Sequence, residues 1–208
     1  MGRFSARLFT WLQDAEFYRA LHSQAVGLLP PGAGRAWLDV GCGPGLVTRL
    51  AAAAGYDAIG VDADEQMIRA ARRLARRRDS RARFVQQRLA ALDARVALAE
   101  VVSASSFLVV VDDVPQALTQ LWQAVRPGGQ LLIIEALPGL TLARANRLIR
   151  QGTISGKGVN GLRLWASIRQ GTRRDHSALL HAGYAGHVQF VPLLDDLVGA
   201  WLLRKECA

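Results

Sequence analysis

The sequence predicts an α/β domain with a doubly wound, mostly parallel sheet, and three observations point there. Short apolar runs of strand length recur between longer stretches with helical periodicity. The first of these runs leads into Gly41-Cys42-Gly43-Pro44-Gly45, and the second ends in an acid, Asp62. The chain has 208 residues and 50% hydrophobic content, the size and apolar reserve of one domain with a two-faced sheet.

Taken in order, residues 4–29 place Phe4, Leu8, Trp11 and Leu12 and then Phe17, Leu21 and Leu28 at helical spacing, and Pro30-Pro31-Gly32 ends that helix. Residues 36–40 form the first strand. An alanine-rich helix over 46–54 packs through Leu46, Val47 and Leu50. The second strand is 58–62, and Asp64-Glu65 opens a helix whose apolar side is Met67, Ile68, Ala71, Leu74 and Ala75. Residues 83–85 and 101–103 with its neighbours read as the third and fourth strands. An acid N-cap, assigned to Asp112, and Pro115 in the first turn open a helix through Leu118, Leu121, Trp122 and Val125. The turn Arg126-Pro127-Gly128-Gly129 leads into a fifth strand at 130–134, and 187–192 and 199–203 are two closing strands. The apolar runs 107–111 and 131–134 are strand-sized, far short of a membrane span.

Glycine at 41, 43 and 45 permits backbone angles closed to other residues and removes side chains that would hold a ligand away from the peptide groups. Spacing decides among the ligands that use such loops. A dinucleotide fingerprint wants glycine or alanine where Leu46 stands, and a P-loop wants lysine followed by serine or threonine where Leu46-Val47 follow Gly45. Both phosphate readings weaken. Asp62, at the end of the second strand, is placed to accept hydrogen bonds from both hydroxyls of a ribose.

With the loop at 39–45, the acid at 62 and the turn at 126–129 in register, the chain resembles the class I S-adenosylmethionine-dependent methyltransferases over about residues 30–205. The resemblance implies a seven-stranded Rossmann-like sheet whose last strands form an antiparallel hairpin, and S-adenosylmethionine as cofactor, released as S-adenosylhomocysteine. It brings Gly41, Gly43 and Gly45 to the methionine part, Asp39 to its amino group, Asp62 to the ribose, and Ala63 and Met67 to the adenine. Where the family often has an acid for the adenine amino group this chain has Arg88, which has no acceptor, so Gln87 or backbone takes that role. Ser105 is the residue after the fourth strand expected to touch cofactor or acceptor. The Asn/Asp-Pro-Pro-Tyr type sequence of base and protein amino methylases is absent, and Val109-Val110 stand where a family histidine sometimes lies. For orienting the acceptor, Glu135 at the exit of the fifth strand ranks first and His22 second. In the family the leading helix, here 4–29, lies over cofactor and substrate as a lid.

The net charge is +9, and 24 of the 26 basic residues are arginine. Eight arginines crowd residues 69–83, a pattern that a solvated helix face explains more simply than a nucleic-acid surface. Residues 136–174 carry no Asp or Glu, and Leu142, Ala145, Leu148 and Ile149 mark a short amphipathic helix there. Gly152, Gly156, Gly158 and Gly161 mark a flexible middle. This stretch is the candidate substrate cap, and its basic, apolar character suits an anionic amphiphile or a membrane surface. Cys42 and Cys207 give neither a disulfide framework nor a metal site. The N-terminus lacks the apolar block of a signal peptide, so a cytoplasmic protein, peripheral to a membrane at most, is expected. The expected activity is methyl transfer to a small apolar or anionic acceptor, quinone-like, lipid-like or a carboxylate metabolite. The competing readings are an RNA methyltransferase using the arginine clusters and a protein that holds the cofactor without transferring its methyl.

Overall fold

A computed structural model describes residues 3–92, 98–169, 176–182 and 187–207. Its centre is a seven-stranded sheet. The strands are β1 (Ala36–Val40), β2 (Asp57–Asp62), β3 (Arg83–Gln86), β4 (Ala99–Ser105), β5 (Val125–Ala136), β6 (Val188–Leu193) and β7 (Val198–Arg204), in the spatial order β3-β2-β1-β4-β5-β7-β6. Strands β1 to β5 pair in parallel, while β7 runs antiparallel to both β5 and β6. The seven strand positions and the antiparallel closing hairpin agree with the sequence expectation.

The parallel strands are apolar on both faces because helices cover both. Leu132 and Ile134 of β5 join a core with Trp37, Phe17 and Trp165, whereas Leu131 and Ile133 join another with Leu38, Val102 and Leu118. The helices are α1 (Arg3–Gln13), α2 (Glu16–Val26), α3 (Leu46–Ala53), α4 (Glu65–Arg77), α5 (Val114–Ala124), α6 (Leu142–Arg150), α7 (Lys157–Arg169) and α8 (Ser177–Ala182). Side chains of α2, α3, α6 and α7 fill the first core, and those of α5 and Leu180 of α8 fill the second.

Four local expectations change. The single helix over 4–29 is two helices, broken where Ala15 takes an extended conformation and the Asp14 carboxylate turns outward to accept from Arg78 at 2.8 Å. The break lets α1 and α2 each present residues to one cleft. The N-cap of α5 is Asp113, which accepts from the Gln116 N–H at 2.9 Å, and Asp112 is left to line the cleft. The run 107–111 is a turn after β4, because its Leu108 N–H is drawn to the Glu135 carboxylate at 2.7 Å instead of to a neighbouring strand.

The fourth change concerns the glycines expected to make the middle of 136–174 flexible. Gly158 and Gly161 lie inside α7, where a Cβ would stand 3.3 Å from the Phe17 ring in each case. Their missing side chains let α7 approach the α1–α2 turn closely, which outweighs the entropic cost of glycine in a helix. Residues 170–174 of that stretch, Arg173 and Arg174 included, lie outside the described residues.

The Arg126-Pro127-Gly128-Gly129 turn is present as a bulge. Ala99 pairs with Val125 and Val101 with Gln130, so the intervening residues of β5 loop out of the ladder. Gly128 supplies the positive φ of 75° that the excursion needs.

Candidate active site

Crossovers run from β1 outward to β2 and β3 and then return to β4 on the other side of β1, so the strand order reverses between β1 and β4. Open α/β sheets bind ligands at the carboxyl ends of the strands beside such a reversal. A cleft of about 840 Å³ lies there, within the roughly 300–1,000 Å³ of small-molecule sites. Its floor is the glycine loop after β1, its sides are the ends of β2 and β4, and α1 and α2 contribute Phe9, Gln13, Tyr18 and His22.

The three loop glycines do different things. All have positive φ, 66° at Gly41, 51° at Gly43 and 82° at Gly45. At Gly43 a Cβ would meet nothing nearer than the Gln13 side chain at 4.0 Å, so this peptide is bared to the cleft. At Gly41 a Cβ would collide with the Phe107 ring at 2.4 Å, so this glycine seats the turn after β4 against the loop while still lining the cleft. Gly45 does not line it. A Cβ there would lie 2.4 Å from the Phe84 ring and 3.1 Å from Ala71, so Gly45 serves the packing of the loop on β3 and α4.

Asp62 ties loop to strand. One carboxylate oxygen accepts from the Gly43 N–H at 2.9 Å and the other from the Asp64 N–H at 2.8 Å. Burial raises its pKa against the pull of those two N–H donors. Each carboxylate oxygen has two acceptor positions, so both retain capacity for a ribose hydroxyl. Ala63 and the buried Met67 form the apolar wall beside it. Gln87 completes this end. Its backbone N–H donates to the Asp62 carbonyl at 3.0 Å and its side-chain NH2 to the Ala91 carbonyl, leaving the side-chain oxygen as an acceptor. Arg88 also lines the cleft.

Asp39 is 1% exposed and sits in a buried chain of hydrogen bonds. The Trp37 Nε1–H donates to Ser103 Oγ at 2.8 Å, Ser103 donates to one Asp39 oxygen at 2.8 Å, and Thr48 donates to the other at 2.7 Å. Burial pushes the Asp39 pKa up to about 6 against these hydroxyl donors. Asp39 therefore locks β1, β4 and α3 together beneath the loop and keeps an edge at the cleft floor. The Trp37–Ser103–Thr48 chain was not anticipated; the signal available was Thr48, a hydroxyl within an alanine-rich helical run.

His22 and Ser105 meet across 83 residues of sequence. His22 Nδ1 lies 2.7 Å from the Tyr18 carbonyl, which can only accept, so Nδ1 carries the proton. His22 Nε2 is therefore the acceptor, and Ser105 Oγ, 2.9 Å away, donates to it. Burial lowers the His22 pKa to about 4, so the ring is neutral at physiological pH. The Ser105 oxygen lone pairs are left for the cleft.

Glu135 was expected to orient the acceptor, but it does not line the cleft. It is 2% exposed behind the wall, where it accepts from the Leu108 N–H and so shapes the turn carrying Phe107. Burial raises its pKa to about 7, opposed by the charge of Arg169 and the N–H groups of Leu108 and Phe107. Tyr18 does line the cleft, and burial raises its pKa to about 12 against a hydrogen bond with Ser106. Among the described residues none of α6 or α7 lines the cleft. Trp165 of α7 instead braces Tyr18, with ring centroids 5.1 Å apart, and Phe17, at 6.4 Å. The described part of the 136–174 stretch thus packs behind α1 and α2 instead of lining the cleft.

These buried groups give opposite pH dependences. Between about pH 6.5 and 4 the unfolded chain takes up a proton at His22 that the folded chain refuses, so the His22 contribution to stability is present above pH 6.5 and lost toward pH 4. Glu135 does the reverse: its contribution is complete below its ordinary value of 4.5 and disappears as pH rises through about 7. Thermal melts of His22→Gln are expected to lose less stability between pH 6.5 and 4 than those of the unaltered chain. An equal loss in both would mean that His22 is charged in the folded protein.

Residues 38–133, from β1 to the core of β5, match the family model described as a methyltransferase domain. Those residues form a methyltransferase domain, and the sheet built around them has the fold of the class I S-adenosylmethionine-dependent methyltransferases. Solved structures share its fold. A protein of Methanococcus maripaludis assigned to the S-adenosyl-L-methionine-dependent methyltransferases is 14% identical, with a TM-score of 0.70 over 99% of this chain and 94% of that one. The plantazolicin methyltransferase BpumL, solved with a desmethyl-plantazolicin analogue and S-adenosylhomocysteine, is 13% identical, with a TM-score of 0.66 over 96% and 90%. Magnesium protoporphyrin IX methyltransferase from Synechocystis, with bound S-adenosylhomocysteine, is 14% identical, with a TM-score of 0.64 over 91% and 84%. No curated protein sequence matches this one. The residues of this methyltransferase fit its cofactor: a bared peptide at Gly43, a carboxylate at Asp62 and an apolar wall at Ala63 and Met67.

Proposed function

We propose that this methyltransferase methylates a small acceptor that is mainly apolar, quinone-like or lipid-like, with room for one anionic group such as a carboxylate. The observation that carries this reading is the character of the cleft beyond the glycine loop. It is walled by Phe9, Tyr18, Phe107, Val110 and Val111, with Asp112 and Asp113 at the entry to α5 and with Arg88 as its one arginine or lysine among the described residues.

S-adenosylmethionine supplies a methyl group already activated by its sulfonium, so the protein's work is binding, alignment and exclusion of water. Gly43 and Asp62 hold the methionine and ribose parts, with Ala63, Met67 and Gln87 around the adenine, and Asp39 keeps the loop in place. Gly41 acts through its contact with Phe107, and Gly45 by packing the loop. Phe9 and Tyr18 keep water out. Ser105, its proton committed to neutral His22, offers an oxygen that accepts from the incoming group. Glu135 is a positioning residue for the 105–111 turn.

Contact with a membrane surface draws less support from the fold. Ala145 and Leu148 of α6, on the face that would enter lipid, are buried in the core. No helix among the described residues is long and apolar enough to cross a membrane.

Incubation with methyl-labelled cofactor tests the reading against three acceptor panels: long-chain phenols and quinols, apolar carboxylic acids, and bulk tRNA at several salt concentrations. Label is expected in the first or second panel and to be lost in Phe107→Ala. Label confined to tRNA, falling steeply with salt, would overturn it and favour the arginine clusters as the substrate surface.

A further inference from the structure

A second cavity of about 440 Å³ opens on the far side of the α1–α2 turn, between α3 and the end of α4. Four arginines line it, Arg19, Arg49, Arg78 and Arg81, against two acids, Asp14 and Asp79. Asp14 is already taken by Arg78 at 2.8 Å. Among the described residues neither Arg19 nor Arg81 has a carboxylate within ion-pair distance.

Arg49 shows that the crowding is more than a solvated face. It is only 8% exposed, on a helix whose other inward residues are apolar or hydroxyl. One of its five N–H donors is used, on the Pro44 carbonyl at 2.6 Å, and that is its one acceptor among the described residues. Burial, and then the charges of Arg78 and Arg19, lower its pKa to about 10, with only Asp14 and Cys42 opposing. Its unbonded N–H groups open on the cavity, where a bound oxyanion would offset the surrounding like charge, and its planar fork suits bidentate contact with phosphate or carboxylate.

We infer that this cavity is a binding site for a small multivalent oxyanion of the phosphate class, separate from the methyl-transfer cleft, with Arg19, Arg49, Arg78 and Arg81 as its ligands. The site adjoins the cofactor loop, since Arg49 holds Pro44 and Leu46 lines both cavities. Free phosphate compounds and phosphate headgroups share this chemistry.

Calorimetric titration of the chain with inorganic pyrophosphate, at ionic strength fixed with chloride, is expected to give saturable binding of one equivalent. The double variant Arg19→Gln/Arg81→Gln leaves the Arg49–Pro44 and Arg78–Asp14 contacts in place. It is expected to weaken that binding at least tenfold while retaining its melting transition and its affinity for S-adenosylhomocysteine. Arg73→Gln/Arg77→Gln, exposed on α4 and outside the cavity, is expected to leave it unchanged. Vesicles rich in phosphatidylglycerol identify the source: competition with pyrophosphate means a headgroup, and its absence means a free anion. Binding that does not saturate overturns the proposal. So does equal weakening by both double variants, which would mark diffuse attraction to a basic surface.

Discussion

Asp62→Ala is expected to weaken S-adenosylmethionine binding by about 10- to 150-fold, the equivalent of the roughly 1.5–3 kcal/mol carried by hydrogen bonds to a charged group. The loss has two sources. The carboxylate is the proposed acceptor at the end of β2 for the ribose diol, and it also anchors the Gly43 N–H at 2.9 Å, so its removal frees a loop peptide that is open to the cleft. Asp62→Asn separates them, because the amide keeps one acceptor oxygen and loses the other. Its affinity is expected to fall between those of Asp62→Ala and the unaltered chain. Calorimetry with the cofactor, accompanied by thermal melts, measures both. An Asp62→Ala affinity within twofold of the original would remove the ribose assignment.

Gly45→Ala is expected to destabilise the fold by about 2–5 kcal/mol. Holding an L-residue at a φ of 82° costs about 1–2 kcal/mol. Forcing a methyl to 2.4 Å from the Phe84 ring adds about 1–3 kcal/mol of overpacking. For a domain of this size that corresponds to a melting temperature lower by about 4–20 °C. The collision is specific, so it can be relieved: Phe84→Leu should cost stability alone and cost less when combined with Gly45→Ala. A double-mutant cycle showing simple additivity would mean that backbone strain, and not the ring, sets the penalty. Gly43→Ala, with nothing but the Gln13 side chain within 4.0 Å of the new methyl, is the counterpart that should spare stability more and reduce cofactor affinity.

The contrast between these glycines shows where sequence reading stops. Their spacing announces a loop with positive φ at the end of a strand, and all three have it. Which one faces ligand is set by Phe107 and Phe84, residues from β4's exit and β3 that only the sheet order brings to the loop. His22 and Ser105 follow the same rule. Each was legible as a candidate, but the proton placement that makes Ser105 the donor depends on a contact between residues 83 positions apart. Glu135 lies at the end of β5 as its place in the sequence indicates, but the turn carrying Leu108 closes over it and sets it behind the cleft wall.

What the chain's own order of residues determined is much of what neighbours govern: strands from short apolar runs, the left-handed turns from glycine, the acid at the end of β2 and the acids that open α4. Periodicity and turn chemistry act over a few residues, and they read directly. Tertiary structure alone decided how α7 braces α2 through Trp165, why Asp39 is tied into the Trp37–Ser103–Thr48 chain, and where four arginines from α2, α3 and the turn after α4 surround one cavity. Those outcomes depend on which distant segments pack together, and packing is settled by the shape and burial of the whole domain.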